Sequence, residues 1–255
     1  MQFIDTHAHL YSEELLPELN QIMDRAIRSG VTKIFMPAID SHSLEAMFLV
    51  EQSFSNHCFA MMGLHPCYVK ENYEQELKIV EAWLAKRKFV AIGEIGLDFY
   101  WDKTFTEQQH KAFDIQMQWA IDYNTPIVIH TRNAMGETIE AVKPFAKKGL
   151  RGIFHCFSGS KESAQQIIGM GFHLGLGGVL TYKNAGVAEA VKDIPMEWLV
   201  LETDAPYLSP VPYRGKKNEP TYMIEVAKKL AEIKNLPLNE IAEITTKNAM
   251  KVFGI

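Results

Sequence analysis

Two histidines, one residue apart, begin the chemistry this chain can offer. In Asp5-Thr6-His7-Ala8-His9 an extended backbone projects His7 and His9 to one side, about 6 to 7 Å apart at the Cα. That spacing lets two imidazoles close on one divalent cation at roughly 2.0–2.1 Å. Alone, a His-x-His pair reads equally well as two polar residues at a frayed strand end. Glu94 stands in Gly93-Glu94-Ile95-Gly96-Leu97-Asp98, where glycines permit close backbone approach. A carboxylate there can serve two metals, one through each oxygen. Asp98 shares its face, as a partner of the site or as a cap on the following loop. His130 ends Pro126-Ile127-Val128-Ile129 and His155 ends Gly152-Ile153-Phe154, while Glu202 and Asp204 follow Trp198-Leu199-Val200-Leu201. Singly, each histidine is as readily a hydrogen-bonded core residue as a ligand. Jointly, polar ligand types at the ends of successive apolar runs argue for a metal centre. Cys156 is expected to face the other way, as a buried hydrophobe in the strand–helix layer.

The runs that carry these residues are 3–9, 33–39, 58–66, 90–98, 126–132, 152–158, 173–178 and 199–205. Between them lie stretches with helical spacing: 13–29, 71–88, 106–123, 134–148, 160–170, 219–233 and 238–252. Gly30 offers a C-terminal stop for the first, and Thr106-Glu107-Gln108-Gln109 fits a capping box at the start of the third. Short buried strands alternating with helices imply parallel βαβ units. Eight in about 250 residues predict an α/β fold, a (β/α)8 TIM-type barrel of metallo-dependent hydrolase architecture, as one domain over 1–255. An open doubly wound sheet is the alternative, but no Gly-x-Gly-x-x-Gly turn follows an early strand. In a barrel the strand C-termini form the active face, which gathers His7, His9, His65, Glu94, Asp98, His130, Arg132, His155, Glu202 and Asp204. His173, opening the seventh run, is the odd one.

Composition limits the function classes. The chain is 47% hydrophobic, which excludes a disordered protein. A net charge of −5 gives no global basic field, so any polyanion must be held by a local patch or by cations. Three cysteines are too few for a disulfide framework or a four-cysteine zinc site. No signal peptide is read at the N-terminus, and no apolar run reaches the roughly 18 residues of a membrane helix. The expectation is a soluble cytoplasmic protein with no membrane or obligate protein partner. Local cations are available: Arg132 on the His130 strand, Lys183 after the seventh run, and Arg214, Lys216 and Lys217 in a loop with Pro206, Pro210, Pro212 and Pro220. Tyr100, Trp101 and Tyr207 could stack nucleobases or simply anchor loops.

Taken together, these motifs resemble the TatD family of metal-dependent deoxyribonucleases, within the amidohydrolase-like barrels. The matching stretches are Asp5-Thr6-His7-Ala8-His9-Leu10, Gly63-Leu64-His65-Pro66, Gly93-Glu94-Ile95-Gly96-Leu97-Asp98-Phe99 and His130-Thr131-Arg132-Asn133-Ala134. They continue with His155-Cys156-Phe157-Ser158-Gly159-Ser160, Leu201-Glu202-Thr203-Asp204-Ala205-Pro206-Tyr207-Leu208 and Arg214-Gly215-Lys216-Lys217-Asn218-Glu219-Pro220. The resemblance implies two divalent ions, one on His7, His9, Glu94 and Asp204 and the other on Glu94, His130 and His155. Two departures are visible: Asn133 where the family often has Asp, and Cys67 where many relatives carry His; neither removes a ligand.

The activity implied is 3′→5′ exonuclease cleavage of single-stranded or frayed DNA ends. Asp204 and Glu94 are then catalytic, with Glu202 orienting a ligand or water. His65, Arg132, Lys183, Tyr207, Arg214 and Lys216 are expected to hold substrate. Nitrogen-rich ligands favour Zn or Mn over Mg, whereas the family is usually described with Mg. The alternatives are a metal-dependent amidohydrolase, a D-aminoacyl-tRNA deacylase, and a non-catalytic barrel scaffold. Glu94 in place of a carbamate-forming lysine argues against the first, and the complete ligand set against the last.

Overall fold

In the computed structural model, which describes residues 1–255, eight parallel strands follow one another around a ring. They are β1 (Phe3–Asp5), β2 (Val31–Met36), β3 (Cys58–Ala60), β4 (Ile92–Asp98), β5 (Ile127–Arg132), β6 (Gly152–Phe154), β7 (His173–Leu176) and β8 (Leu199–Leu201). Continuous ladders join β1-β2-β3 and β4 through β8. Single parallel bridges close the two remaining gaps, Met62 to Ile92 and Ala8 to Ala205. The ring is therefore a (β/α)8 barrel with two thin seams, β3/β4 and β8/β1.

The expected helices form as α1 (Leu19–Ser29), α3 (Tyr73–Lys86), α4 (Thr106–Asp122), α5 (Met135–Ala146), α6 (Lys161–Gly169), α8 (Met223–Lys234) and α9 (Leu238–Phe253). Gly30 ends α1 with a left-handed φ of 96°. Two further helices, α2 (Leu44–Ser53) and the short α7 (Val187–Val191), complete the strand–helix alternation that the sequence reading left open. In α2 the apolar residues wrap the helix, with Met47 and Val50 buried but Leu49 exposed, so no clear stripe marks it. The capping box proposed for α4 does not form. Phe105 is the N-cap, and the Gln109 side chain grips the Asp98 backbone instead, accepting from its N–H at 2.9 Å and donating to its carbonyl at 3.1 Å.

Two apolar layers support the ring. The larger lies between strands and helices; the smaller fills the barrel itself with Ile4, Phe35, Met61, Ala91, Val128, Ile153 and Val200. The end of α9 stops the lower opening, with Phe253 stacked on Phe35 at 4.0 Å. His173 begins β7 at that lower end, against Trp198, which removes it from the chemistry above.

Candidate metal centre

Regular alternation alone does not aim the ligands. β1 stops at Asp5, and the chain bends before His7. Beyond the bend it stays extended through Ala8, whose N–H reaches the Phe35 carbonyl, and His9, whose N–H reaches that of Ala205 at 2.7 Å. Asp204 N–H returns to the His7 carbonyl at 2.8 Å. Asp5 secures this corner. Its carboxylate accepts from the N–H of His7 and from both the N–H and hydroxyl of Thr203, and burial still pushes it up to about 7.

Glu94 needs a register change. Ala91 points into the barrel and Ile92 outward, so strict alternation would send Glu94 outward too. Between Ile92 and Ile95 the ladder with β5 slips by one residue, and this bulge turns Glu94, Gly96 and Asp98 to the interior. Gly96 adopts φ +145°, and a Cβ there would meet the His130 carbonyl at 2.0 Å.

Glu94 is nearly fully buried, and its two oxygens face different partners. Oε2 lies 3.1 Å from His7 Nε2 and 3.6 Å from His9 Nε2; Asp204 Oδ1 is 3.8 and 3.6 Å from the same two nitrogens. His7 Nε2 and His9 Nε2 are 3.3 Å apart. A tetrahedron of ligands about 2.0–2.1 Å from an ion has edges of roughly 3.3–3.4 Å, so this group matches the shape of a cation site. Oε1 faces His155 Nε2 at 2.7 Å, His130 Nδ1 at 2.9 Å and His65 Nε2 at 3.3 Å. The donors His7–His9–Glu94, His7–His155–Asp204 and Glu94–His130–His155 each lie within 4.8 Å of one another.

The outer hydrogen bonds set the tautomers. Tyr11 donates to the Pro37 carbonyl, so the His9 Nδ1–H donates to the Tyr11 oxygen at 3.0 Å and Nε2 keeps its lone pair. Asp98 Oδ2 accepts from His130 Nε2 at 2.9 Å, leaving Nδ1 to face Glu94. His65 Nδ1 accepts from the Cys67 N–H, so its neutral ring presents an Nε2–H donor to the cavity. Thus Nε2 of His9 and Nδ1 of His130, each freed for coordination when its proton leaves, converge with two carboxylates, a donor set that fits divalent cations.

Electrostatics follow the packing. Burial raises the Glu94 carboxyl, but the surrounding imidazoles, His155 foremost, and the His130 bond overcome it and hold it well below the usual range. For Asp204, burial is likewise overcome by the His9 bond and the neighbouring imidazoles, which lower it. Burial lowers His7, and pushes His65 down to about 4. Burial would lower His155, but Glu94 and Glu202 raise it well above its ordinary value. Glu202 is fully buried, 3.5 Å from His155 Nδ1, and accepts from the Cys156 N–H. A Cβ on Gly175 would lie 2.2 Å from its other oxygen, so the glycine makes the space Glu202 occupies.

Several expectations change. Cys156 is not a hydrophobe in the outer layer: it is half-buried, at φ +46°, with Asp204, Glu202, Glu94 and Arg132 acting on its thiol. Asp98 both caps the loop, through the N–H groups of Tyr100 and Trp101, and holds His130. Lys217 leaves the basic loop to bind Glu18 and the Glu14 carbonyl. Arg132, Lys183, Arg214 and Lys216 remain exposed, Arg214 lying 4.5 Å over the Tyr182 ring. Tyr207, half exposed, stands at the mouth 5.9 Å from His9. Asp5 and Tyr11 were not singled out by sequence reasoning; their spacing of two residues from His7 and His9 was the available signal.

Residues 4–254 match a family model described as TatD related DNase. The chain is 40% identical over 253 residues to YabD of Bacillus subtilis, an uncharacterized metal-dependent hydrolase, covering 98% of each chain. It aligns with the structure of YjjV, a TatD homologue from Escherichia coli K12, at a TM-score of 0.93 and 29% identity, over 99% of this chain and 98% of that one. An uncharacterized amidohydrolase from Saccharomyces cerevisiae shares the fold, with a TM-score of 0.86 at 19% identity over 99% of each chain. No helix is long and apolar enough to cross a membrane. The barrel, the buried cluster of histidines and carboxylates at its upper end, and these relatives agree: this chain belongs to the TatD family of metal-dependent hydrolases.

Proposed function

We propose that the protein hydrolyses DNA phosphodiesters with two divalent cations, as a 3′→5′ exonuclease on single-stranded or frayed ends. The observation that carries this reading is Glu94, whose two oxygens face two separate imidazole sets beneath a mouth edged by exposed cations. His7, His9, Glu94 and Asp204 would hold one ion, and Glu94, His130 and His155 the other. When bound, such ions supply Lewis-acid neutralisation of a phosphodiester and lower the pKa of a water. Asp204, buried and kept ionised by its imidazole neighbours, accepts the proton of the attacking water. The P–O3′ bond breaks and the proton taken by Asp204 passes to the leaving O3′, leaving a 3′-hydroxyl on the shortened strand and a 5′-mononucleotide. The His65 Nε2–H donates to a non-bridging oxygen of the scissile phosphate. Glu202 orients His155, and Arg214, Lys183 and Lys216 hold phosphates farther along the strand.

What supports end-directed cleavage is the rigid wall beside the site. Segment 206–220 is pinned by Asn218, which donates to the carbonyls of Thr203 and Tyr207, and by the bidentate Arg25–Glu219 pair. A strand terminus enters such a pit, whereas a stacked duplex must first melt. The test is an end-labelled single strand with a 3′-hydroxyl, with and without chelator. A ladder shortening from the 3′ end, abolished by chelation, supports the reading. Early internal fragments, or equal rates on circular single strands, refute it.

A further inference from the structure

Beside the metal centre, the loop after β4 exposes two aromatic rings that no apolar packing explains. Tyr100 is 51% and Trp101 68% exposed, with their rings 4.9 Å apart and nearly perpendicular. The Arg132 guanidinium lies 3.8 Å from the Tyr100 ring centre and 5.2 Å from that of Trp101. Arg132 is exposed and has no ion pair, so the stack alone fixes its plane and its N–H edge stays free for an anion. Loose surface aromatics would lose much entropy on binding, but this loop is held. Asp98 accepts from the N–H groups of Tyr100 and Trp101 at 2.9 and 3.0 Å, Phe99 N–H bonds the Arg132 carbonyl at 2.9 Å, and Lys70 pairs with Asp102 at 2.7 Å. The other oxygen of Asp98 holds His130, so the platform stands one carboxylate away from the proposed second ion.

We propose that Tyr100, Trp101 and Arg132 form a nucleobase-binding platform that stacks the base of a nucleotide next to the scissile one, while the Arg132 edge pairs with the adjoining phosphate. This rests on the nuclease reading and adds the chemical class recognised: a π-face beside an anion, held by stacking and charge and hence with little sequence preference. A flat aromatic surface and a cation in one rigid unit is the chemistry that grips single strands.

The experiment separates the platform from the nuclease reading by measuring binding without turnover. Single-stranded tetranucleotides, intact or with one base replaced by tetrahydrofuran at each position in turn, are titrated into Glu94→Gln protein and into the same protein with Trp101→Ala. Base stacking contributes about 1–3 kcal/mol, so removing the base at one position should weaken binding roughly 5- to 150-fold in the first protein. In the Trp101→Ala background that ratio should fall toward one. Arg132→Ala should instead lower the slope of log K against log salt by about 0.7, the value for one phosphate of a single strand. If Trp101→Ala does not fold, Tyr100→Ala provides the same comparison, and circular dichroism identifies the folded variants. An unchanged intact-to-abasic ratio overturns the platform even if wild-type protein degrades DNA. A lost ratio with no DNA hydrolysis by wild type keeps the platform and overturns the nuclease. No binding of any oligonucleotide overturns the platform as well.

Discussion

Replacing Asp98 by Asn tests whether one hydrogen bond outside the ligand set tunes the proposed second ion. Asp98 Oδ2 receives the His130 Nε2–H at 2.9 Å, which frees Nδ1 to face Glu94 Oε1 at the same distance. Asn keeps the size of the side chain and, with its oxygen toward Tyr100 and Trp101, keeps both loop bonds. Its NH2 group then meets Nε2, a donor against a donor. His130 relieves this by moving its proton to Nδ1, which removes the lone pair aimed at the ion. The lost charge-assisted bond is worth about 1.5–3 kcal/mol, and about 1.4 kcal/mol is tenfold in affinity. Affinity for the second ion should therefore drop roughly 10- to 100-fold, in keeping with losses of ligand-orienting partners generally. The Gln109 side chain, which holds the Asp98 main chain from both sides, should keep the position in place. Calorimetric titration of metal-stripped protein with Mn2+ reads both steps, and only the step belonging to the ion facing His130 should move. If both steps match wild type within twofold, Asp98 does not orient His130 and the reasoning fails.

Tyr11→Phe should act on the other ion: without the oxygen that accepts from His9 Nδ1, affinity on the His7–His9 side should fall by roughly tenfold in the same titration. Burial lowers His173 to about 4 against an ordinary 6.5. The unfolded chain therefore takes up the proton first, and stability falls as pH drops from 6.5 toward 4, by up to about 3 kcal/mol. His173→Leu should lessen the fall of urea-unfolding free energy across that window, by up to that amount, while the buried His7 and His65 keep their share. Phe253→Ala, which opens the stopper under the barrel, should cost about 3–5 kcal/mol in urea unfolding. A loss below 1 kcal/mol would mean the lower opening closes without it.

Much of the site was legible because barrel strands are apolar until they end. His130 and His155 stand out after Ile129 and Phe154 for that reason, and the strand order then brings them to one pocket. What stayed hidden depends on backbone geometry that residue types do not encode. The bulge before Ile95 decides that Glu94 faces inward, yet Gly93-Glu94-Ile95 reads the same with or without it. Cys156 has the size of a core residue, but a left-handed φ rotates it out of the alternation on which its expected burial rested. Gln109 sits where a helix cap would, and only the proximity of the β4 end shows what it binds. α2 escaped because its apolar residues surround it, which blurs the periodicity that reveals helices.

The two thin seams of the ring carry a thermodynamic meaning. The β8/β1 gap is bridged at Ala8 and Ala205, immediately beside His7, His9 and Asp204, and Glu94 begins just past the β3/β4 bridge at Ile92. Closure of the cylinder and binding of a cation are thus linked equilibria, since an ion on His7, His9, Asp204 and Glu94 would clasp β1, β4 and β8 at once. By mass action the closed ring gains about 2.7 kcal/mol at a hundredfold excess of ion over its dissociation constant. Amide exchange should read this as local breathing. Chelation should accelerate Ala8, His9 and Asp204 more than the continuous β5–β6 ladder, the mark of a proposed first ion that would fasten the cylinder as well as serve the chemistry.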